Sequence, residues 1–280
     1  GRGMILQPSP IKEEALKQSL PVYQSERIRQ DAALIKTLSD LAPDVIVVVA
    51  FGQILPETVL NIPALGCINV HASLLPQYRG AAPIQWALIR GEKETGVTTM
   101  MMDKGMDTGP ILLQQSLEIQ PSETADRLAL RLSEQGASLL VLTLKQIKAG
   151  LLTPIPQKEE SATMARLLKK EDGFICWQDT AEAIFNQWRG FFVWPATTLF
   201  YGQELWKVIS MEIGEREGTW GKPGEILKVS ERGIEIATGI GYIVISRFKL
   251  TGGRALSPKE YAAGHSLKMG SFFSTKESNT

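Results

Sequence analysis

The sequence predicts an α/β domain with a mostly parallel sheet, followed by a small β-barrel. Three observations carry this reading. Residues 44–50 form an apolar run without polar alternation, the mark of a strand buried on both faces. Strand-like and helix-like patterns then alternate as far as residue 148. Beyond a polar stretch containing Pro154 and Pro156, the texture changes to short β-branched and aromatic runs separated by glycine turns. A length of 280 residues, 44% of them hydrophobic, is enough for two domains. The expected division is a domain over 1–150, a linker over 151–165 and a second domain over 166–280.

Residues 11–18 have helical spacing, and Pro21-Val22-Tyr23 reads as a short strand. Ala33, Leu34, Leu38 and Leu41 recur at the spacing of one helix face over 31–41. After the apolar run come a strand over 66–71, a helix over 83–91, and strands over 95–102 and 111–119. Ser122 is placed to cap a long helix that runs to Lys148 and stops at Gly150. In the second half a helix over 180–189 precedes strands over 196–200, 204–211, 224–229, 233–237 and 241–250. Five short strands with glycine turns suggest a barrel of the OB type. Met100-Met101-Met102 is read as sheet core, and Trp86, Trp177, Trp188 and Trp194 as packing anchors. The Lys169-Lys170-Glu171-Asp172 cluster is read as a solvated helix end.

Composition excludes several function classes. Lys plus Arg is 30 and Asp plus Glu is 30, so the net charge of zero does not announce a nucleic-acid binder, and any such role must rest on a local site. Cys67 and Cys176 are too few for a disulfide framework or a four-thiolate zinc site, so no metal is expected and a reducing cytoplasm fits best. The longest apolar run falls far short of a membrane span.

The chemistry converges on three residues. Asn69 and His71 stand two apart at the end of a predicted strand, so their side chains project from the same face. Asp107 lies in Gly105-Met106-Asp107-Thr108-Gly109-Pro110, where two glycines allow a tight turn toward the same rim of the sheet. An amide N–H can donate to an oxyanion, an imidazole can carry charge near neutral pH, and a carboxylate beside it favours the charged ring and fixes its tautomer. No nucleophile with its own base stands out, Ser73 included. The set suits attack of a substrate amine on a carbonyl without a covalent enzyme intermediate. His265, the other histidine, has no acidic neighbour in sequence and is read as surface or packing.

The run from Leu65 to Ala87, with Asn69-Val70-His71-Ala72-Ser73-Leu74-Leu75-Pro76-Gln77-Tyr78-Arg79-Gly80 at its centre, resembles the signature of the folate-dependent formyltransferase family. Met101-Met102-Asp103-Lys104-Gly105-Met106-Asp107-Thr108-Gly109-Pro110-Ile111 resembles that family's second signature, and residues 47–56 are similar to its folate-side strand and loop, with Phe51 where most members have Tyr. Gly1-Arg2-Gly3 followed by Pro8-Ser9-Pro10-Ile11-Lys12 is similar to a loop of the branch acting on aminoacylated initiator tRNA, as are residues 189–195 and 252–257. Cys176 departs from the family, which usually has Asp before Trp177.

The resemblance implies a Rossmann-like, doubly wound catalytic domain and formyl transfer from 10-formyltetrahydrofolate to the amino group of a charged initiator tRNA. It implies that Asn69, His71 and Asp107 are catalytic, that Ser73, Leu74, Leu75 and Pro76 form a folate-contacting turn, and that Arg2 touches tRNA. The enzyme is expected to be a cytoplasmic monomer, with Lys207, Lys228, Arg232, Arg247, Lys249 and Arg254 available to phosphates in the barrel half. The chain opens as loop, and the family pattern leads us to expect that a first strand–helix unit is missing, so that residues 1–280 alone would aggregate or transfer little formyl. Two rival readings are a related enzyme acting on a sugar-nucleotide amine or hydrolysing formyl-folate, and a catalytically silent RNA-binding protein.

Overall fold

The structure, a computed structural model, describes residues 8–275. The first half holds helices α1 (Pro10–Lys17), α2 (Ala32–Leu41), α3 (Glu57–Leu60), α4 (Pro83–Ile89) and α5 (Ala125–Lys148) with strands β1 (Ile46–Val48), β2 (Cys67–His71), β3 (Glu94–Met101) and β4 (Ile111–Glu118). The strands form one sheet in the order β1-β2-β3-β4. The expected α/β architecture is present, but the sheet is mixed. Only β1 and β2 run parallel, whereas β2–β3 and β3–β4 are antiparallel. For β3 and β4 the reason lies in the connection: they are joined by the short loop 102–110, which holds no helix, and a parallel crossover needs a dozen or more residues.

β1 is shorter than its apolar run and is an edge strand. Ile46 and Val48 pack with Leu34, Ile35, Leu38 and Val59 of α2 and α3, while Val47 and Val49 are exposed, so the expected burial on both faces is not found. Residues 21–23 form no strand; Pro21 has no N–H to offer, and no strand among the described residues pairs with them. Helix α5 lays Leu128, Leu132 and Leu139 against Val97, Ala87 and Leu88. Gly136 lies on that stripe because a Cβ there would meet Val70 Cγ1 at 3.1 Å. Thr124, not Ser122, stands at the N-cap, and its hydroxyl donates to Asp126 Oδ1 (2.5 Å) instead of capping the backbone. Gly150, at φ +68°, ends the helix as expected.

The second half opens with α6 (Ala181–Gly190), capped by the Thr180 hydroxyl. Strands β5 (Thr198–Tyr201), β6 (Glu204–Glu215), β7 (Ile226–Val229), β8 (Ile234–Ala237), β9 (Tyr242–Leu250) and β10 (Ala255–Leu256) follow, then α7 (Pro258–Ala262). They form an antiparallel sheet in the order β5-β6-β9-β8-β7, with β10 on β9. Ser274 pairs with Phe200 of β5 and Phe272 with Glu225 just before β7, so one short segment bridges the two edges of the sheet. Inward residues of β6, β8 and β9 (Trp206, Ile236, Phe248) meet Ile184 and Trp188 of α6 in the larger core. Trp177 and Trp188 are buried and Trp86 is partly buried, but Trp194 is half exposed and does not anchor the core.

The last helix carries a pH-dependent contribution to stability. Ser257 and Glu260 form a reciprocal capping box at the start of α7, and Arg254 pairs with Glu260 at 2.7 Å. The Ser257 backbone N–H, then the Arg254 guanidinium, pull the Glu260 carboxyl down to about 2. A depressed carboxylate stabilises the fold above its unfolded value of 4.5, and this contribution fades as pH falls toward 2. Glu260→Gln should therefore lower the urea midpoint at pH 7, with the gap to wild type closing between about pH 5 and pH 2.

Candidate active site

β2 and the loop between β3 and β4 bring the three predicted residues together. Asn69 and His71 project from one face of β2, as their spacing requires, and both line the same cavity. Asp107 reaches them from residues 102–110 with a left-handed backbone, φ +55°, that non-glycine residues rarely adopt. Its Oδ1 accepts from Asn69 Nδ2 (3.3 Å), and its Oδ2 accepts from the Gly80 N–H (2.8 Å) and lies 3.5 Å from His71 Nδ1. On the other side of the buried imidazole, Nε2 is 2.9 Å from the Tyr78 carbonyl. Both ring nitrogens thus face acceptor oxygens, an arrangement that the doubly protonated ring satisfies with two donors.

The cavity encloses about 820 Å³, within the range of small-molecule sites. Its apolar wall comes from Val48, Phe51, Ile54 and Leu55, and its polar floor from Asn69, His71 and Asp107. Ser73, Leu74, Leu75 and Pro76 do not line it. Ser73 is buried and its hydroxyl donates to the Gln77 carbonyl (2.6 Å), while the Leu75 N–H donates to Thr98 Oγ1 (3.1 Å). These residues form a packed turn, and residues 48–55, from the end of β1 onward, contribute to the cavity lining. Arg2 lies outside the described residues. Met100 is buried among Leu75 and Ile111, in keeping with a core role.

One thiol and one phenol in this half are unsuited to attack. Burial pushes the Cys67 thiol on β2 up to about 11. Burial, then the hydrogen bond to Glu92, pushes Tyr78 up to about 12. Among the described residues no group of three or more His, Cys, Asp or Glu side chains could hold a metal ion.

Sequence reasoning missed how the segment after α5 is fastened. Ile155 exchanges two backbone hydrogen bonds of 2.8 Å with Ile111 of β4. Arg79 is buried, pairs in bidentate fashion with Glu159 (2.9 Å to each oxygen) and donates from Nε to Gln157 Oε1 (2.9 Å). Arg79 stood within the first signature, yet the partners lie far along the chain, and nothing in local spacing pairs them. His265 is also better connected than expected: it stacks on Tyr261 with ring centroids 4.4 Å apart and lies 3.8 Å from Glu204.

Residues 1–144 match the family described as "Formyl transferase", and residues 167–266 match "Formyl transferase, C-terminal domain". A methionyl-tRNA formyltransferase of Trichlorobacter lovleyi is 45% identical over 99% of this chain and 86% of its own length. One from Synechococcus sp. (strain JA-3-3Ab) is 48% identical over 98% of this chain and 86% of its own. Among solved structures, the sugar 3N-formyl transferase WlaRD superposes with a TM-score of 0.63 at 20% identity, covering 83% of this chain and 79% of that one. HypX from Aquifex aeolicus, solved with tetrahydrofolic acid, gives 0.62 at 18% identity over 83% of this chain and 40% of that one. At such identities the two structures bear on the fold alone.

Proposed function

This chain belongs to the methionyl-tRNA formyltransferase family, and from that membership we propose that it transfers a formyl group from 10-formyltetrahydrofolate to the amino group of methionyl-initiator tRNA. It is an enzyme of one-carbon metabolism in translation initiation, and we place it in the cytoplasm; no helix among the described residues is long and apolar enough to cross a membrane. The observation that carries the reading is the junction of Asn69, His71 and Asp107 in a mostly apolar cavity.

The residues present suit a folate: Phe51, Ile54 and Leu55 offer apolar surface to a flat ring system, and the polar trio lines the same cavity. When bound, the folate supplies the formyl carbon. Asn69 keeps a second amide N–H beyond the one given to Asp107, and that N–H stabilises the carbonyl oxygen as it gains charge. We assign His71 to the same oxygen, its ring held in place between the Asp107 carboxylate and the Tyr78 carbonyl. Asp107 holds His71 in place and would take up the proton that the attacking amine loses, directly or through water, and return it to the folate nitrogen that departs as its bond to the formyl carbon breaks. The folate-contacting role we expected of Ser73–Pro76 is better carried by the loop after β1.

We assign tRNA contacts to Arg2 and to the second half, which we read as an OB-type barrel domain following a linker over 151–165. Arg232 and Arg254 are engaged by Glu212 and Glu260. Lys207 and Lys249 are register partners on β6 and β9, with Arg247 two residues along, facing away from the core that holds Trp206 and Phe248. Such a row suits phosphates. The reading is tested by measuring formyl transfer to charged initiator tRNA beside transfer to a UDP-amino sugar; transfer to the sugar alone would overturn it. Arg2→Ala in the full chain should lower kcat/KM for tRNA about tenfold, equivalent to roughly 1.4 kcal/mol, with folate affinity unchanged.

A further inference from the structure

We propose that Gln157, on the segment leaving α5, is a positioning residue that holds Asp107 against His71. This rests on the reading above that Asp107 is catalytic. The Gln157 amide Nε2 donates to two backbone carbonyls of the catalytic loop, those of Asp107 (2.8 Å) and Gly109 (2.7 Å). Its oxygen accepts from Arg79 Nε, and Arg79 is buried beside Gly80, whose N–H binds the Asp107 carboxylate. One side chain therefore ties the loop that carries Asp107 to the strand-end segment that carries Gly80.

The loop needs such a tie. Asp107 adopts a left-handed backbone at φ +55°, a conformation that costs a residue with a Cβ and persists only where its surroundings impose it. From the other end, Asp103 accepts from the Gly105 N–H (2.9 Å) and from Thr108 Oγ1 (2.7 Å). Gly109 is pressed so close to β3 that a Cβ would lie 1.9 Å from the Met101 carbonyl. Between these anchors, Gln157 supplies the two donors that the Asp107 and Gly109 carbonyls receive from a side chain. Without them the left-handed residue is free to relax, and Asp107 swings away from His71. Neither Gln157 nor Arg79 lines the cavity, so the effect falls on the alignment of the reacting groups and not on substrate binding.

The bland alternative is that Gln157 merely docks the interdomain segment. Gln157→Glu separates the two: a carboxylate still accepts from Arg79 but cannot donate to the two carbonyls. Gln157→Ala, which introduces no charge, serves beside it. In the full chain each variant should lower kcat about 10- to 100-fold, with KM for both substrates within threefold, because a displacement near 1 Å at the reacting centre is enough for such a loss. The chain has 2 histidines, which makes their ring ¹⁵N resonances separable by NMR: the His71 signals should shift, while those of His265 should not. In an Asp107→Asn background either Gln157 substitution should cost less than threefold more. Wild-type kcat in both Gln157 variants while Asp107→Asn is impaired would overturn the role of Gln157 alone, as would an equal loss in both backgrounds. Wild-type turnover in Asp107→Asn would overturn the catalytic reading and this proposal with it.

Discussion

Replacing His71 by alanine is expected to lower kcat by about 10²–10⁴, the span covered by losing an oxyanion stabiliser and a proton-organising group together. The imidazole is 6% exposed and sits between the Asp107 carboxylate and the Tyr78 carbonyl, so no water-filled substitute of fixed geometry can take its place. Its removal takes away a preorganised polar group that acts without the reorganisation water would need. Asp107 keeps its bonds to Gly80 and Asn69, so the loop should stay in place. Folate affinity should change by less than about threefold, because the deletion leaves the apolar lining from Val48, Phe51, Ile54 and Leu55 intact. Single-turnover kinetics separate the chemical step from binding. A His71→Ala enzyme within threefold of wild-type kcat would remove His71 from the reaction.

The site was legible in the sequence where it depended on local periodicity. The i, i+2 spacing of Asn69 and His71 forces them to one face of β2, and the glycines around Asp107 foretold a tight turn. What could not be read was anything set by the sheet's connections. The alternation of strands and helices suggested parallel pairing, yet a loop without a helix between β3 and β4 makes that pairing antiparallel. The apolar run of β1 suggested two covered faces, and its composition is the same whether or not Val47 and Val49 find partners. The pairing of Arg79 with Glu159 spans some 80 residues of chain, and that of His265 with Glu204 some 60; neither has a signature in local spacing.

The largest stability effect should come from Trp206→Ala. Trp206 is fully buried on β6 and is stacked on Phe248 of β9 with ring centroids 3.6 Å apart and planes 11° apart. Tyr261 of α7 meets its edge at 4.7 Å and Phe273 at 5.2 Å, so a single side chain joins two strands, the last helix and the segment bridging the sheet edges. Truncating a buried aromatic to alanine costs about 3–5 kcal/mol, and each lost aromatic pair accounts for about 0.5–1.5 kcal/mol beyond area burial. Domain stabilities are only about 5–15 kcal/mol, so the second half should unfold at a much lower urea concentration. The indole N–H also donates to Glu204 (3.4 Å), which accepts from the Tyr261 hydroxyl (2.5 Å), so Trp206→Phe should lose less, about 1–2 kcal/mol. The order of failure carries the functional content: α6 and the strands of the second sheet share this core, whereas β2 and β3, which position the site, pack on a different one. Urea titration followed by tRNA and folate binding should show tRNA affinity vanishing first in Trp206→Ala, while folate binding persists to higher urea. Coincident loss of both ligands would mean that the two halves unfold as one unit, and a midpoint within 1 kcal/mol of wild type would mean that this core tolerates the cavity.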